Sequence, residues 1–351
     1  MVLDEQQQKI VETPYSAVLV SAASGSGKTA VLTERIRYLL DNGVDPTKIV
    51  AITFTNAAAE EMVLRIGEKA KDAFIGTIHS YANRLLVKNG WATNKYIEEE
   101  MFDLFFDKIK RNLYVIEEVE HLLVDEFQDI SDIQYEFFMD MIKPKNFFFI
   151  GDTRQAIFQW AGANLDHFYL LAHDPDVEVY SLVNNYRSGI NIINFADQFL
   201  KGLKDIRPER IISKNPIPGE VIKQSEFDLD AIIDKIEGDG NYKKWFILAR
   251  SNDDVDFIRN YLIKNRVPAE SFKKKDFTNA EIKAKIEDNT VKVLTVHSAK
   301  GLENDNVVVV GVVPYNKEEK RVAYVAATRA KNRLIWVYRK KKKRKTKIEY
   351  W

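Results

Sequence analysis

The run Val18-Leu19-Val20-Ser21-Ala22-Ala23-Ser24-Gly25-Ser26-Gly27-Lys28-Thr29 constrains this chain more than any other, and Val31, Leu32, Ile36 and Leu39 follow it at helical spacing. Strand, glycine-rich turn, Lys-Thr and helix form the context that a phosphate-binding loop requires. Glycines let backbone N–H groups approach phosphate oxygens, and the helix N-terminus adds positive potential. Ala22, Ala23, Ser24, Gly25, Ser26 and Gly27 would line the cradle. Lys28 would meet the β- and γ-phosphates, and Thr29 would hold Mg²⁺. Ala22 stands where the usual pattern begins with glycine, a position that needs a tight turn more than bare backbone.

Other short apolar runs alternate with helical patterns. Ile49–Ile52, Leu122–Val124, Phe147–Ile150 and Val177–Tyr180 read as strands, as do Trp245–Leu248, Val291–Leu294, Val307–Val310 and Leu334–Val337. Near-continuous apolar strands separated by helices argue for parallel sheets covered on both faces. The expected fold is α/β, with two doubly wound domains in tandem: residues 1–182 and 183–351. Met101, Phe102, Phe105, Phe106, Ile109 and Leu113 recur at helical spacing, so residues 82–120 read as a small helical insertion in the first domain. Arg207 to Glu220, with Pro208, Pro216, Pro218 and Gly219, reads as a loop over the second domain.

Bulk composition narrows the class without fixing it. Bases and acids balance at 52 each, yet the tail 339–351 holds eight of the bases and one acid, Glu349, leaving 44 bases against 51 acids elsewhere. The body is mildly acidic and carries a basic tag, which reads either as a solvated end or as a phosphate-seeking tail. The chain has no cysteine, which rules out disulfides and thiolate metal sites. No apolar run approaches the ~20 residues of a membrane helix. A soluble, cytoplasmic protein with no membrane partner is expected.

Leu122-Leu123-Val124-Asp125-Glu126 sets two acids at the end of a buried strand. Ligand sites of parallel α/β sheets lie at the carboxyl ends of strands. Asp125 suits the Mg²⁺ shell and Glu126 suits polarisation of an attacking water.

With Phe127-Gln128-Asp129 added, this motif resembles the second motif of superfamily 1 helicases of the UvrD/Rep type. Further motifs follow the family's order. Leu3-Asp4-Glu5-Gln6-Gln7 resembles the Gln motif, Ile52 to Met62 motif Ia, and Gly76-Thr77-Ile78-His79-Ser80 the next strand-contacting motif. Gly151 to Ala163 resembles motif III, Asn185-Tyr186-Arg187-Ser188 motif IV, and Ala249-Arg250-Ser251-Asn252 motif IVa. Thr295 to Glu303 resembles motif V and Tyr324 to Lys331 motif VI.

The resemblance implies two RecA-like domains and a role for each residue. Lys28, Thr29, Asp125 and Glu126 would form the hydrolytic centre, with Gln155 sensing the γ-phosphate. Arg187 and Arg329 would act as arginine fingers from the second domain, so that ATP closes a cleft and hydrolysis releases it. Gln7 would read adenine, Tyr186 would stack on it, and Glu303 would approach the ribose. Phe54, Phe158 and Trp160 would stack on bases, and Thr55, Asn56, Thr77, His79, Arg250, Asn252 and His297 would contact the strand. Single-stranded DNA is the implied partner, although motifs that touch backbone and base faces leave the sugar open.

The chain departs from the family at Ala161, where Arg is usual, and at Ala30 after the loop threonine. The second large insertion of full-size relatives has only Asp253 to Thr290 to occupy. The expectation is a monomeric, minimal ATP-driven translocase with 3′-to-5′ polarity and weak unwinding. A non-motor switch subunit of a nuclease, repair or defence complex is the alternative.

Overall fold

The computed structural model describes residues 2–88, 118–203, 210–225, 227–272 and 279–338. Most of the expected helical insertion (residues 89–117) and the basic tail 339–347 lie outside the described residues. The chain divides into two compact units. The first comprises Met1–Arg187, Lys204–Lys214 and Phe277–Glu281, and the remainder forms the second.

The first unit is built on a sheet of six strands: β1 (Ala17–Ala22), β2 (Ile49–Thr53), β3 (Phe74–Thr77), β4 (His121–Val124), β5 (Asn146–Gly151) and β6 (Glu178–Leu182). Their order is β3-β2-β4-β5-β1-β6, and every pair is parallel. Alternate residues point to opposite faces, so a strand buried on both sides must be apolar throughout. Val18, Val20, Ile49, Ala51, Leu123, Phe148 and Ile150 pack on one face with helices α1 (Glu5–Val11), α2 (Lys28–Asp41) and α3 (Asn56–Ile66). Leu19, Val50, Ile52, Leu122, Val124 and Phe149 pack on the other with α4 (Ile78–Lys88) and α5 (Asp166–His173). Phe127 lies stacked on Phe149 at 4.4 Å between centroids, which seats the segment after β4 firmly in this second core.

Two short strands, β7 (Asn184–Asn185) and β8 (Ile212–Ser213), pair in parallel. Through them Arg210–Lys214 joins the first unit, whereas Asn215–Glu220, with Pro216, Pro218 and Gly219, belongs to the second as expected. Proline and glycine mark irregular backbone, but the two ladder bonds that decide where the segment lies join residues far apart in sequence. β3 also goes unmarked by hydrophobicity: it is a four-residue edge strand, Phe-Ile-Gly-Thr, with few apolar positions to read.

The second unit repeats the plan. Strands β9 (Glu220–Gln224), β10 (Trp245–Ala249), β11 (Ala269–Glu270), β12 (Val291–Thr295), β13 (Asn304–Val310) and β14 (Ala330–Val337) form a parallel sheet of order β11-β12-β10-β13-β14-β9. Helices α6 (Ile190–Leu200), α7 (Leu229–Asp239), α8 (Asn252–Lys264) and α9 (Lys317–Ala327) flank it. α7 and α8 cover one face through Ile232, Ile236, Ile258 and Leu262, while α6 and α9 pack together and on β14. Lys292 sits fully buried in β12 because its ammonium is answered by the Asp288 and Thr290 carbonyls (2.8 and 2.9 Å) and by the Glu270 carboxylate (3.1 Å). A buried charge persists only where it is paired in this way.

Trp336 is the largest anchor on the α6 side, with Phe195 and Phe199 at 5.5 and 4.7 Å between centroids. Trp336→Ala is expected to cost about 3–5 kcal/mol. Chemical denaturation should show this loss in the transition of the second unit, while the first unit's transition stays in place.

Candidate nucleotide and nucleic-acid site

All strands of the first sheet run the same way, so their carboxyl ends share one edge. The loop after β1, the acids after β4 and the motif after β5 therefore meet there by topology, since β4, β5 and β1 are consecutive in the sheet. Ala22 is the last residue of β1, paired with Leu182, so the missing glycine is replaced within the strand and not in the turn. The turn proper needs left-handed backbone at Gly25 (φ 69°) and Gly27 (φ 81°). A Cβ on Gly25 would fall 2.7 Å from that of Arg187 and 2.9 Å from the Asn185 amide.

Several observations fit a phosphate ligand. Helix α2 begins with no side-chain cap on Gly27 and no acid in its first turn, leaving its N–H donors open. Ser26 Oγ is buried with no partner among the described residues, and the Lys28 ammonium makes no hydrogen bond or ion pair among them. Such a set of donors and one cation suits phosphate oxygens. The Thr29 hydroxyl and Asp125 carboxylate add the hard oxygen ligands that Mg²⁺ takes alongside phosphates. No group of three or more His, Asp or Glu forms a separate metal cage among the described residues.

Beyond β4 the backbone turns sharply. Glu126 has φ 50° and ψ 41°, left-handed for a residue with a Cβ, and its N–H donates to Asp125 Oδ1 at 2.8 Å. Backbone strain of this kind, worth about 1–3 kcal/mol, concentrates at functional sites. Gln128, wholly buried, donates through Nε2 to Glu126 Oε2 (2.6 Å) and Asp129 Oδ2 (3.0 Å). Its Oε1 accepts the Asp152 N–H at 2.8 Å. Asp152 in turn accepts from Arg154 Nε (2.8 Å) and Gln155 Nε2 (2.7 Å). Gln155 is thus held at the end of β5, buried, in the loop that leads to Phe158.

A second group of side chains clusters around α1. Gln7 closes a capping box with Asp4, its Oε1 taking the Asp4 N–H (3.0 Å), and Nε2 donates to the Ser26 carbonyl (2.9 Å). The amide is therefore oriented, with one N–H and one lone pair to spare. Tyr186 is 46% exposed and donates its hydroxyl to Asp4, which also accepts from Asn184 at 2.7 Å. Burial and the bond to Asp4 push the Tyr186 phenol up to about 12, so it remains a neutral donor. Asn185 donates to the Ser24 carbonyl and accepts the Arg187 N–H at 2.9 Å, and Arg187 NH1 reaches Ser24 Oγ at 3.1 Å. Arg187 is the last residue of the first unit's main segment, not part of the second as the sequence division has it.

Past the same edge lies an aromatic row. Phe54, at the end of β2, is 53% exposed and stacks on Phe158 at 5.5 Å and 22°. Trp160, 68% exposed, continues from Phe158 at 6.4 Å. Thr55 and Asn56 open α3, where the Thr55 hydroxyl caps Ala58 N–H; Thr77 and His79 open α4, where Thr77 caps Ser80. Ala161 ends the short turn that carries Trp160.

In the second unit the expected residues part company. Glu303 and Arg329 stand at the amino ends of β13 and β14, whereas Arg250, Asn252 and His297 follow the carboxyl ends of β10 and β12. Glu303 pairs with Lys331 at 2.9 Å. Arg329 is 1% exposed, and its guanidinium donates to the carbonyls of Val325 (3.0 Å) and Leu302 (3.2 Å). Arg250 is gripped by buried Glu319, with Nε at 3.0 and 3.1 Å from its two carboxylate oxygens and NH2 at 2.6 Å from one. Asn252 is exposed at the start of α8.

Sequence reasoning gave no role to Gln128, Asp152 or Asn185, although all three stand inside quoted motifs. Their partners lie 24, 24 and 161 residues away, and spacing alone cannot reveal such pairs.

Comparison with known proteins bears on this geometry. The UvrD/REP helicase N-terminal domain matches residues 3–118 and 104–176, and the UvrD-like helicase C-terminal domain matches residues 180–287 and 273–341. ATP-dependent DNA helicase PcrA of Staphylococcus epidermidis is 25% identical over 366 residues, covering 76% of this chain and 50% of that protein. A Mycoplasma pneumoniae protein named "Probable DNA helicase" is 26% identical over 455 residues, covering 95% of this chain and 83% of that one. The chain spans about half the length of the PcrA relatives it matches. A crystal structure of the C-terminal domain of a possible DNA helicase from Lactobacillus plantarum WCFS1 overlaps 43% of this chain and 86% of its own, at 19% identity and a TM-score of 0.32. No helix among the described residues is long and apolar enough to cross a membrane.

Proposed function

The chain belongs to the UvrD/REP helicase family, and from that premise we propose that it hydrolyses ATP to translocate 3′-to-5′ along single-stranded DNA. The observation that carries the reading is one sheet edge bearing both an open phosphate loop with an acidic pair and an exposed aromatic row. Lys28 and the N-terminus of α2 hold the phosphate tail. Glu126 takes the proton of the attacking water, Gln155 meets the γ-phosphate, and Arg187 stabilises the charge that develops as phosphate leaves. Tyr186 stacks on the base while the spare donor and acceptor of Gln7 face adenine. Thr29 and Asp125 would hold Mg²⁺, which would supply charge neutralisation to the phosphates. Phe54, Phe158 and Trp160 offer stacking faces worth ~1–3 kcal/mol per base, without regard to sequence.

Steady-state ATP hydrolysis with and without oligothymidylate tests the reading, with Lys28→Ala as the blank. Stimulation by the strand that disappears in the blank is the expected result. Low turnover that the strand leaves unchanged, despite nucleotide binding, would replace the motor with a nucleotide-dependent switch.

A further inference from the structure

Gln128 does more than fill a motif position. Its one amide group joins the Glu126 carboxylate after β4 to the Asp152 N–H after β5, at 2.6 and 2.8 Å. The fit is tight: a Cβ on Gly151 would come within 2.5 Å of Gln128 Oε1. From Asp152 the connection runs on without slack. Its carboxylate fastens the turn at Arg154 and Gln155, Ala156 and Ile157 are buried, and the next residue is Phe158 in the aromatic row. A hydrogen bond to Glu126 Oε2 stabilises the charged carboxylate and fixes its orientation, which makes it a weaker base toward a water.

We propose that Gln128 is a positioning residue that couples the aromatic row to hydrolysis. With the row empty, its amide restrains the Glu126 carboxylate. A strand seated on Phe158 and Trp160 shifts the 152–158 segment, draws Gln128 away with the Asp152 N–H, and frees Glu126 to act on water. This rests on the strand-stimulated ATPase reading above and names the contact through which stimulation passes.

Gln128→Met keeps the volume and removes both hydrogen-bonding ends. Turnover without strand should rise about tenfold, in line with loss of one hydrogen bond to a charged group, and the ratio of stimulated to unstimulated turnover should fall accordingly. Gly151→Ala, which crowds Gln128 from the other side, should lower the same ratio. An unchanged ratio in both variants, whether the rates stay or drop together, overturns the proposal and leaves the motor reading standing. A wild-type protein with no stimulation at all overturns both. Should neither variant fold, amide hydrogen exchange of the wild type decides: exchange at Asp152 must speed up on adding oligothymidylate, and protection that does not change refutes the coupling.

Discussion

Glu126→Gln is expected to bind nucleotide as tightly as the wild type and to turn over about 10²–10⁴ times more slowly, the usual contribution of a positioned base. The substitution preserves shape, and the new amide oxygen can still accept from Gln128, so the strained turn and the packing of Phe127 on Phe149 should survive. Only the ability to take a proton is lost. Equilibrium binding of a fluorescent nucleotide and single-turnover hydrolysis separate the two effects. A variant that retains turnover within about twofold would remove Glu126 from the chemistry and shift attention to Asp125 or to a water held by other groups.

Arg187→Ala should lower turnover further, by about 10³–10⁵ if its guanidinium meets the charge of the leaving phosphate. In this structure the same guanidinium reaches Ser24 Oγ and its Cβ abuts Gly25, so the side chain already lies on the phosphate loop. Two roles are separable. Loss confined to kcat marks stabilisation of the transition state, whereas loss confined to KM marks a brace for the loop. Arg187→Lys should recover little of kcat, because a point ammonium cannot reproduce the planar fork of donors.

The residues best read from sequence were those whose chemistry is local. A phosphate loop needs a strand, two glycines and Lys-Thr in a row, so Gly25, Gly27, Lys28 and Thr29 declare themselves, and parallel topology then gathers Glu126 and Gln155 at the same edge. Long apolar strands such as β10 and β13 were equally plain because both faces are buried. What escaped notice depends on partners distant in sequence. Glu319 lies 69 residues from Arg250, and nothing in the motif around Arg250 announces that its charge is already engaged. Lys292 reads as a polar interruption of a strand until Glu270 and the Asp288 carbonyl are seen around it. β9, Glu-Val-Ile-Lys-Gln, is an edge strand with only partial burial, so its pattern is too polar to stand out.

The second sheet separates the two sets of side chains that the motifs single out by the length of a strand. β13, Asn304–Val310, spans roughly 20 Å at the usual rise per residue, with Glu303 before it and the level of Arg250 and His297 beyond it. A sheet bonded along its whole length behaves as a stiff beam. A push on its amino ends arrives at its carboxyl ends as whole-body displacement, with no chain of side-chain rearrangements in between. Small cavities cut into the middle of β13 or β14, far from either set, should then soften the beam and degrade timing between the two edges while leaving each edge chemically intact.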